Sequence, residues 1–131
     1  MKKEKNKILI VEDDVAILDI YKTVFAKFHF DVDFAISGKD ALRIIEEIKN
    51  GKSDKPVVVL LDLILPDMDG IDLLKKIKSD DATKDIKVFI MTNKENIGAD
   101  LPEGIKPDEF IIKANVMPID IVELVKKYLQ P

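Results

Sequence analysis

The sequence predicts a doubly wound α/β domain, a five-stranded parallel sheet with helices on both faces. Three observations carry that expectation. Apolar, β-rich runs alternate with helically spaced apolar residues about five times along the chain. The run Pro56–Asp62 (PVVVLLD) is apolar almost throughout, as a strand covered on both faces is. The length is 131 residues, with 47% hydrophobic and 35% charged, which suits one domain with a core of its own and neither a disordered nor a fibrous chain.

The elements follow in order. Residues 1–6 lie within the basic stretch MKKEKNK and read as a flexible N-terminus; the domain is expected over residues 7–129. Lys7–Glu12 (KILIVE) is a strand. Val15, Leu18, Val24, Phe25 and Phe28 have helical spacing, with Asp14 as the N-cap. Asp31–Ala35 alternates as a half-buried strand does. Ser37 caps a second helix, with Asp40 at its third position and Ala41, Leu42, Ile45 and Ile48 facing inward. The polar turn NGKSDK leads into the third strand, Pro56–Asp62. A loop over Leu63–Gly70 precedes a short helix, Ile71–Ser79. Ile86–Met91 and Glu109–Ile112 are the fourth and fifth strands, and Met117–Leu129 is a closing amphipathic helix. Between the last two strands lie Gly98, Pro102, Gly104 and Pro107, which leave room only for a shortened or irregular fourth helix.

Composition removes several chemistries. There is no cysteine, so thiol nucleophiles, disulfide scaffolds and iron–sulfur clusters are out. The single histidine, His29, rules out a multi-histidine metal site and is expected to be partly buried or at a helix end. A net charge of −4 gives no basic footprint for nucleic acid. No apolar run approaches the roughly 18–20 residues of a membrane span, and no signal peptide is visible, so a cytoplasmic protein is expected.

In a sheet of this kind, ligands sit beyond the carboxyl ends of the strands. Those ends carry Glu12-Asp13-Asp14, Asp62, Thr92 and Lys113. Clustered carboxylates repel one another unless a cation intervenes. Magnesium suits one or two carboxylates together with water and phosphate oxygens, and Glu12, Asp13 and Asp62 meet that demand. Lys113 and Thr92 would then bind phosphoryl oxygens, leaving Asp62 to attack phosphorus. Each residue has an ordinary alternative as a cap, turn or solvated loop residue. All of those alternatives would have to hold together to abolish the site.

The same residues resemble the receiver domain of bacterial two-component response regulators, similar to single-domain chemotaxis-type members. The likeness runs from about Lys7 to Leu129 and implies a flavodoxin-like (βα)5 fold. ILIVEDD (Ile8–Asp14) looks like the acidic opening, making Glu12 and Asp13 the metal-binding pair. LLDLILPDMDG (Leu60–Gly70) makes Asp62 the phosphoacceptor and the backbone carbonyl of Ile64 a further metal ligand. FIMTN (Phe89–Asn93) carries the switch hydroxyl Thr92. FIIKA (Phe110–Ala114) carries Lys113 and the switch aromatic Phe110, although an aromatic in a strand is ordinarily core.

The resemblance implies that a sensor histidine kinase or phosphotransfer protein donates a phosphoryl group to Asp62 with Mg²⁺. Thr92 and Phe110 then alter the surface formed by the fourth helix, fifth strand and closing helix. With the sequence ending at Pro131, output is expected through an unidentified downstream protein or onward phosphoryl transfer, with no direct nucleic-acid or membrane binding.

Three residues depart from the family pattern. Asn93 stands where a small residue is usual and narrows access to Asp62. Lys94 follows at a position that influences phosphoryl lifetime, either holding the phosphate or shielding it from water. Ala114 replaces the usual proline, so the Lys113–Ala114 peptide is expected to be trans.

Other functions fit less well. Aspartyl-phosphate phosphatases place a second aspartate two residues after the nucleophile, where this chain has Ile64, so turnover of external substrates is not expected. Glu12-Asp13-Asp14 would repel a flavin phosphate. The alternative that remains is a phosphorylation-independent, receiver-like scaffold for protein binding.

Overall fold

The computed structural model describes residues 6–93 and 101–129. In chain order the elements are β1 (Lys7–Val11), α1 (Val15–Lys27), β2 (Asp31–Ala35), α2 (Gly38–Lys49), β3 (Val58–Leu61), α3 (Gly70–Ser79), β4 (Lys87–Thr92), β5 (Glu109–Ile112) and α4 (Pro118–Leu129). A single 3₁₀ turn, Lys113–Asn115, joins the last two. The strands form one parallel sheet in the order β2-β1-β3-β4-β5.

Two cores sandwich the sheet, which is the doubly wound arrangement expected. Ile8, Ile10, Leu60 and Phe89 point to one face and pack with Leu18 and Phe25 of α1 and with Ile121 and Val125 of α4. Leu9, Val11, Leu61 and Ile90 point to the other and pack with Ile45 of α2 and Leu74 of α3. Strand period two sends alternate residues to opposite faces, so the central strands β1, β3 and β4 must be apolar in both registers.

Local signals set the helix starts. Asp14 Oδ1 accepts from the N–H groups of Ala16 and Ile17 at 3.0 and 3.2 Å. Ser37 Oγ accepts from the Asp40 N–H at 3.1 Å, so both predicted caps form. The end of α1 was less legible. His29 is exposed with φ 68°, in the left-handed region usually filled by glycine. The His29 N–H donates to Ala26 O, the Phe30 N–H donates to Phe25 O, and the Phe25 and Phe30 rings meet edge to face at 5.3 Å. That is a Schellman ending with its apolar contact, so His29 is helix-terminal but not partly buried.

Some boundaries shift. The third strand is Val58–Leu61, shorter than Pro56–Asp62, although the Val57 N–H still donates to Lys7 O. In β2 Ala35 is buried, while Phe34 is exposed like Asp31 and sits beneath the Lys22 ammonium at 4.0 Å. Phe110 is 40% exposed and is not core, because β5 is an edge strand and Phe110 lies on the face opposite Ile111 and α4. The irregular fourth helix was expected between β4 and β5. Residues 94–100, Lys94 included, lie outside the described residues, and 101–108 contain turns but no helix. Of the N-terminus expected to be flexible, residues 1–6, residues 1–5 also lie outside them, while Asn6 O accepts from the Asp31 N–H at 3.0 Å. Among the described residues, no helix is long and apolar enough to cross a membrane.

Candidate functional site

The carboxyl ends of β1, β3, β4 and β5 form one cleft lined by Glu12, Asp13, Asp14, Ile17, Asp62, Ile64, Thr92, Asn93 and Lys113. Sheet order explains the gathering. β3 lies between β1 and β4, so the residue after β3, Asp62, is flanked by those after β1 and those ending β4. Backbone bonds hold the ends in step: the Asp62 N–H donates to Val11 O at 3.1 Å, and the Glu12 N–H to Ala35 O at 3.0 Å.

Lys113 reaches across from the far edge. Its Nζ lies 2.6 Å from Glu12 Oε1 and 2.9 Å from Asp62 Oδ2. The other oxygens are also bonded: Glu12 Oε2 accepts from the Asp14 N–H at 3.1 Å, and Asp62 Oδ1 accepts from the Ile64 N–H at 3.0 Å. Both carboxylates are therefore held in one orientation. Burial pushes the Glu12 carboxyl above its ordinary value, against the lowering effect of its bonds to Lys113 and the Asp14 N–H. Burial acts to lower the Lys113 pKa as well, but its bonds to Glu12 and Asp62 outweigh this and hold it above the usual lysine value.

Asp13 is exposed at the mouth, while Glu12 and Asp62 are buried. One oxygen from each of the three carboxylates lies within 4.8 Å of the others, a group able to hold a metal ion. An all-oxygen set with room for water suits a hard divalent cation such as Mg²⁺. Among the described residues, this group of three carboxylates meets one ammonium, leaving local negative charge that such an ion would offset. Thr92 is fully buried at the end of β4 and lines the same cleft. Ile64 lines it too, with an exposed side chain. Asp14 caps α1 and contributes its N–H to Glu12. Phe110 does not line the cleft; it pairs in register with Ile90, on the edge strand.

In the segment after Asp62, Asp67 is not singled out in the sequence, whereas Gly70 is placed in the loop without its packing role. Asp67 accepts from the N–H groups of Gly38 and Lys39 at 2.8 and 2.9 Å, capping α2 from a different part of the chain. Those backbone donors, Lys39 first, hold its carboxyl below the usual aspartate value. Gly70 starts α3 against the loop backbone. A Cβ there would stand 2.6 Å from Leu63 Cα and 2.8 Å from Asp62 O. An aspartate and a glycine in a loop are the only sequence trace of either role, and neither names its long-range partner. Asn93 Oδ1 accepts from the Ala114 N–H at 3.0 Å. The Lys113–Ala114 peptide is trans, as expected.

Residues 8–126 match the family model of the response regulator receiver domain. Over 86 residues the chain is 40% identical to the sporulation initiation phosphotransferase F of Bacillus subtilis, covering 66% of this chain and 63% of that protein. It is 28% identical over 126 residues to the DNA-binding response regulator MtrA of Mycolicibacterium paratuberculosis, covering 96% of this chain and 52% of that one. The match thus spans less than two thirds of either relative's length, 63% and 52%. The crystal structure of a CheY-like response regulator receiver domain protein from Methanospirillum hungatei aligns with a TM-score of 0.81 and 29% identity, covering 96% of this chain and 94% of that one.

Proposed function

Because the chain belongs to the response regulator receiver domain family, we propose that it is a signalling switch that accepts a phosphoryl group on Asp62 and is not a turnover enzyme. One observation carries this reading. The Lys113 ammonium bonds Asp62 Oδ2 at 2.9 Å, and the Asp62 carboxylate lies with those of Glu12 and Asp13 in a group able to hold a metal, an arrangement that supports reading Asp62 as the nucleophile and Lys113 as the phosphate-binding cation.

In this reading the donor is a phosphohistidine on a sensor kinase or phosphotransfer protein. An Asp62 carboxylate oxygen attacks phosphorus. The new O–P bond forms as the P–N bond breaks, and the departing imidazole keeps the electron pair and takes a proton from water. Glu12, Asp13, Asp62 and the Ile64 carbonyl would hold Mg²⁺, which when bound neutralises charge on the phosphoryl oxygens. Lys113 moves from the bare carboxylate to a phosphoryl oxygen as a point charge, and the Thr92 hydroxyl hydrogen-bonds another. Phe110, on the exposed edge, follows Thr92 inward and remodels the surface around β5 and α4 for a downstream protein. This switch operates in the cytoplasm, with residues 7–129 as the working domain.

The test is to incubate the protein with Mg²⁺ and acetyl phosphate and measure intact mass, with Asp62→Asn as control. Gain of one phosphoryl group, dependent on Mg²⁺ and absent in the control, is the expected result. A folded protein that gains none from acetyl phosphate or from a phosphohistidine donor would leave the phosphorylation-independent scaffold as the better reading.

A further inference from the structure

β4 and β5 end together. Thr92 and Ile112 are the last register pair between them, and the residues that follow, Asn93 and Lys113, both line the cleft. Lys113 opens the 3₁₀ turn to Asn115. The first N–H groups of such a turn have no acceptor within it. That of Ala114 is taken by Asn93 Oδ1 at 3.0 Å, across a sequence separation of 21. A side chain thereby supplies a rung just past the end of the β4–β5 ladder.

The position of this bond matters more than its strength. Asn93 and Ala114 are both exposed, and one solvated hydrogen bond adds little to stability. Yet Asn93 directly follows Thr92, and Ala114 directly follows Lys113. The bond therefore ties together the backbones next to Thr92, which lines the cleft with Asp62, and Lys113, whose ammonium bonds Asp62. Lysine is a point charge on a flexible stem, so the place of its Cα governs where Nζ can rest. The tie also needs an N–H at residue 114, which proline does not have. Asn93 and Ala114, two separate departures in the sequence, are two halves of one contact.

We propose that Asn93 is a positioning residue. Its bond to the Ala114 N–H clasps the first residue after β4 to the 3₁₀ turn after β5, keeps the Lys113 ammonium on Asp62, and so speeds phosphoryl transfer to Asp62. This rests on the reading of Asp62 and Lys113 given above. Asn93 touches no phosphoryl group in this scheme; it acts through the backbone of residues 113 and 114. A displacement of about 1 Å at a reacting group can slow a reaction by up to about a hundredfold, so a weak bond in this place has leverage on rate.

Asn93→Leu keeps the bulk and removes the acceptor. Ala114→Pro removes the donor. Asn93→Asp keeps an acceptor oxygen. Two readouts use the protein without phosphoryl donor or metal: hydrogen exchange of the Ala114 amide and the NMR signal of the Lys113 ammonium. The third is the rate of Asp62 phosphorylation by acetyl phosphate with Mg²⁺. In Asn93→Leu the Ala114 amide should exchange about tenfold faster, the Lys113 signal should broaden, and phosphorylation should slow by about five- to twentyfold with the melting temperature unchanged. Asn93→Asp should restore slow exchange at Ala114. Ala114→Pro should slow phosphorylation similarly, and the double variant Asn93→Leu/Ala114→Pro should be no slower than the slower single, because both remove the same contact. Wild-type rates in Asn93→Leu, or single effects that simply add, would overturn the clasp alone. A wild type that takes no phosphoryl group would overturn the reading of Asp62 and the clasp with it.

Discussion

Lys113 Nζ rests 2.6 Å from Glu12 Oε1, joining residues 101 positions apart in the chain. The same nitrogen bonds Asp62, so one ammonium holds two buried carboxylates from neighbouring strand ends. In the proposed switch it occupies ground that a divalent ion and a phosphoryl group would contest. Removing it has two opposed consequences, and they separate by experiment.

Lys113→Ala leaves Glu12 and Asp62 facing each other without their shared cation. Breaking a buried ion pair by deleting one partner destabilises by about 3 kcal/mol. Divalent cations should bind the variant more tightly, since they no longer compete with an ammonium, and should restore part of that loss. Urea denaturation with Mg²⁺ and with EDTA measures both. A loss below about 1 kcal/mol, insensitive to Mg²⁺, would mark the contact as a screened surface pair.

Gly70→Ala should be disproportionately harmful for a one-carbon change. The added Cβ meets backbone, Leu63 Cα at 2.6 Å and Asp62 O at 2.8 Å, which cannot rotate away. Overpacking of this kind destabilises by about 2–3 kcal/mol, and here it displaces the loop that carries Asp62. Thermal unfolding should register the first effect and weaker Mg²⁺ binding the second. A variant as stable as the parent would show that the α3 start can slide.

Asp67→Ala removes a cap that α2 borrows from the loop after β3 and should lower the midpoint of chemical denaturation. The pH dependence has a definite sign. The folded-state pKa of Asp67 lies below its unfolded value of 3.8, so its contribution is present above that value and is lost as pH falls through the folded pKa. Parent and variant should therefore differ at neutral pH and converge in acid. A constant difference down to that range would assign the effect to packing instead of charge.

His29→Gly should stabilise the domain. His29 sits at φ 68° at the end of α1, where a side chain is disfavoured and glycine is not. The expected gain is about 1 kcal/mol in chemical denaturation, with phosphorylation unaffected because His29 is remote from the strand-end cleft. A loss would mean that the imidazole makes a contact worth more than the backbone strain.

Much of this was legible along the chain. The alternation of apolar runs with helical spacing, the caps Asp14 and Ser37, and the carboxylates, threonine and lysine at successive strand ends all depend on local chemistry. Periodicity reports which face of an element is buried, and a polar residue just past a strand reports where the sheet stops. Phe110 marks the limit of that logic, since an aromatic in a strand is core only if something covers its face, and β5 proved to be an edge. Phe34 on β2, the opposite edge, shows the same failure.

The sequence by itself determined the class of fold and marked the strand-end carboxylates, threonine and lysine on which the proposed function rests, because both follow from residue type and short-range spacing. Tertiary structure decided the partnerships: Lys113 with Glu12 and Asp62, Asp67 with the start of α2, Gly70 with the Leu63 backbone, and Asn93 with Ala114. Each joins segments whose approach is set by strand order and register. Those are global outcomes of burying two apolar faces at once, and nothing in a local stretch of chain encodes the distance between its ends and another.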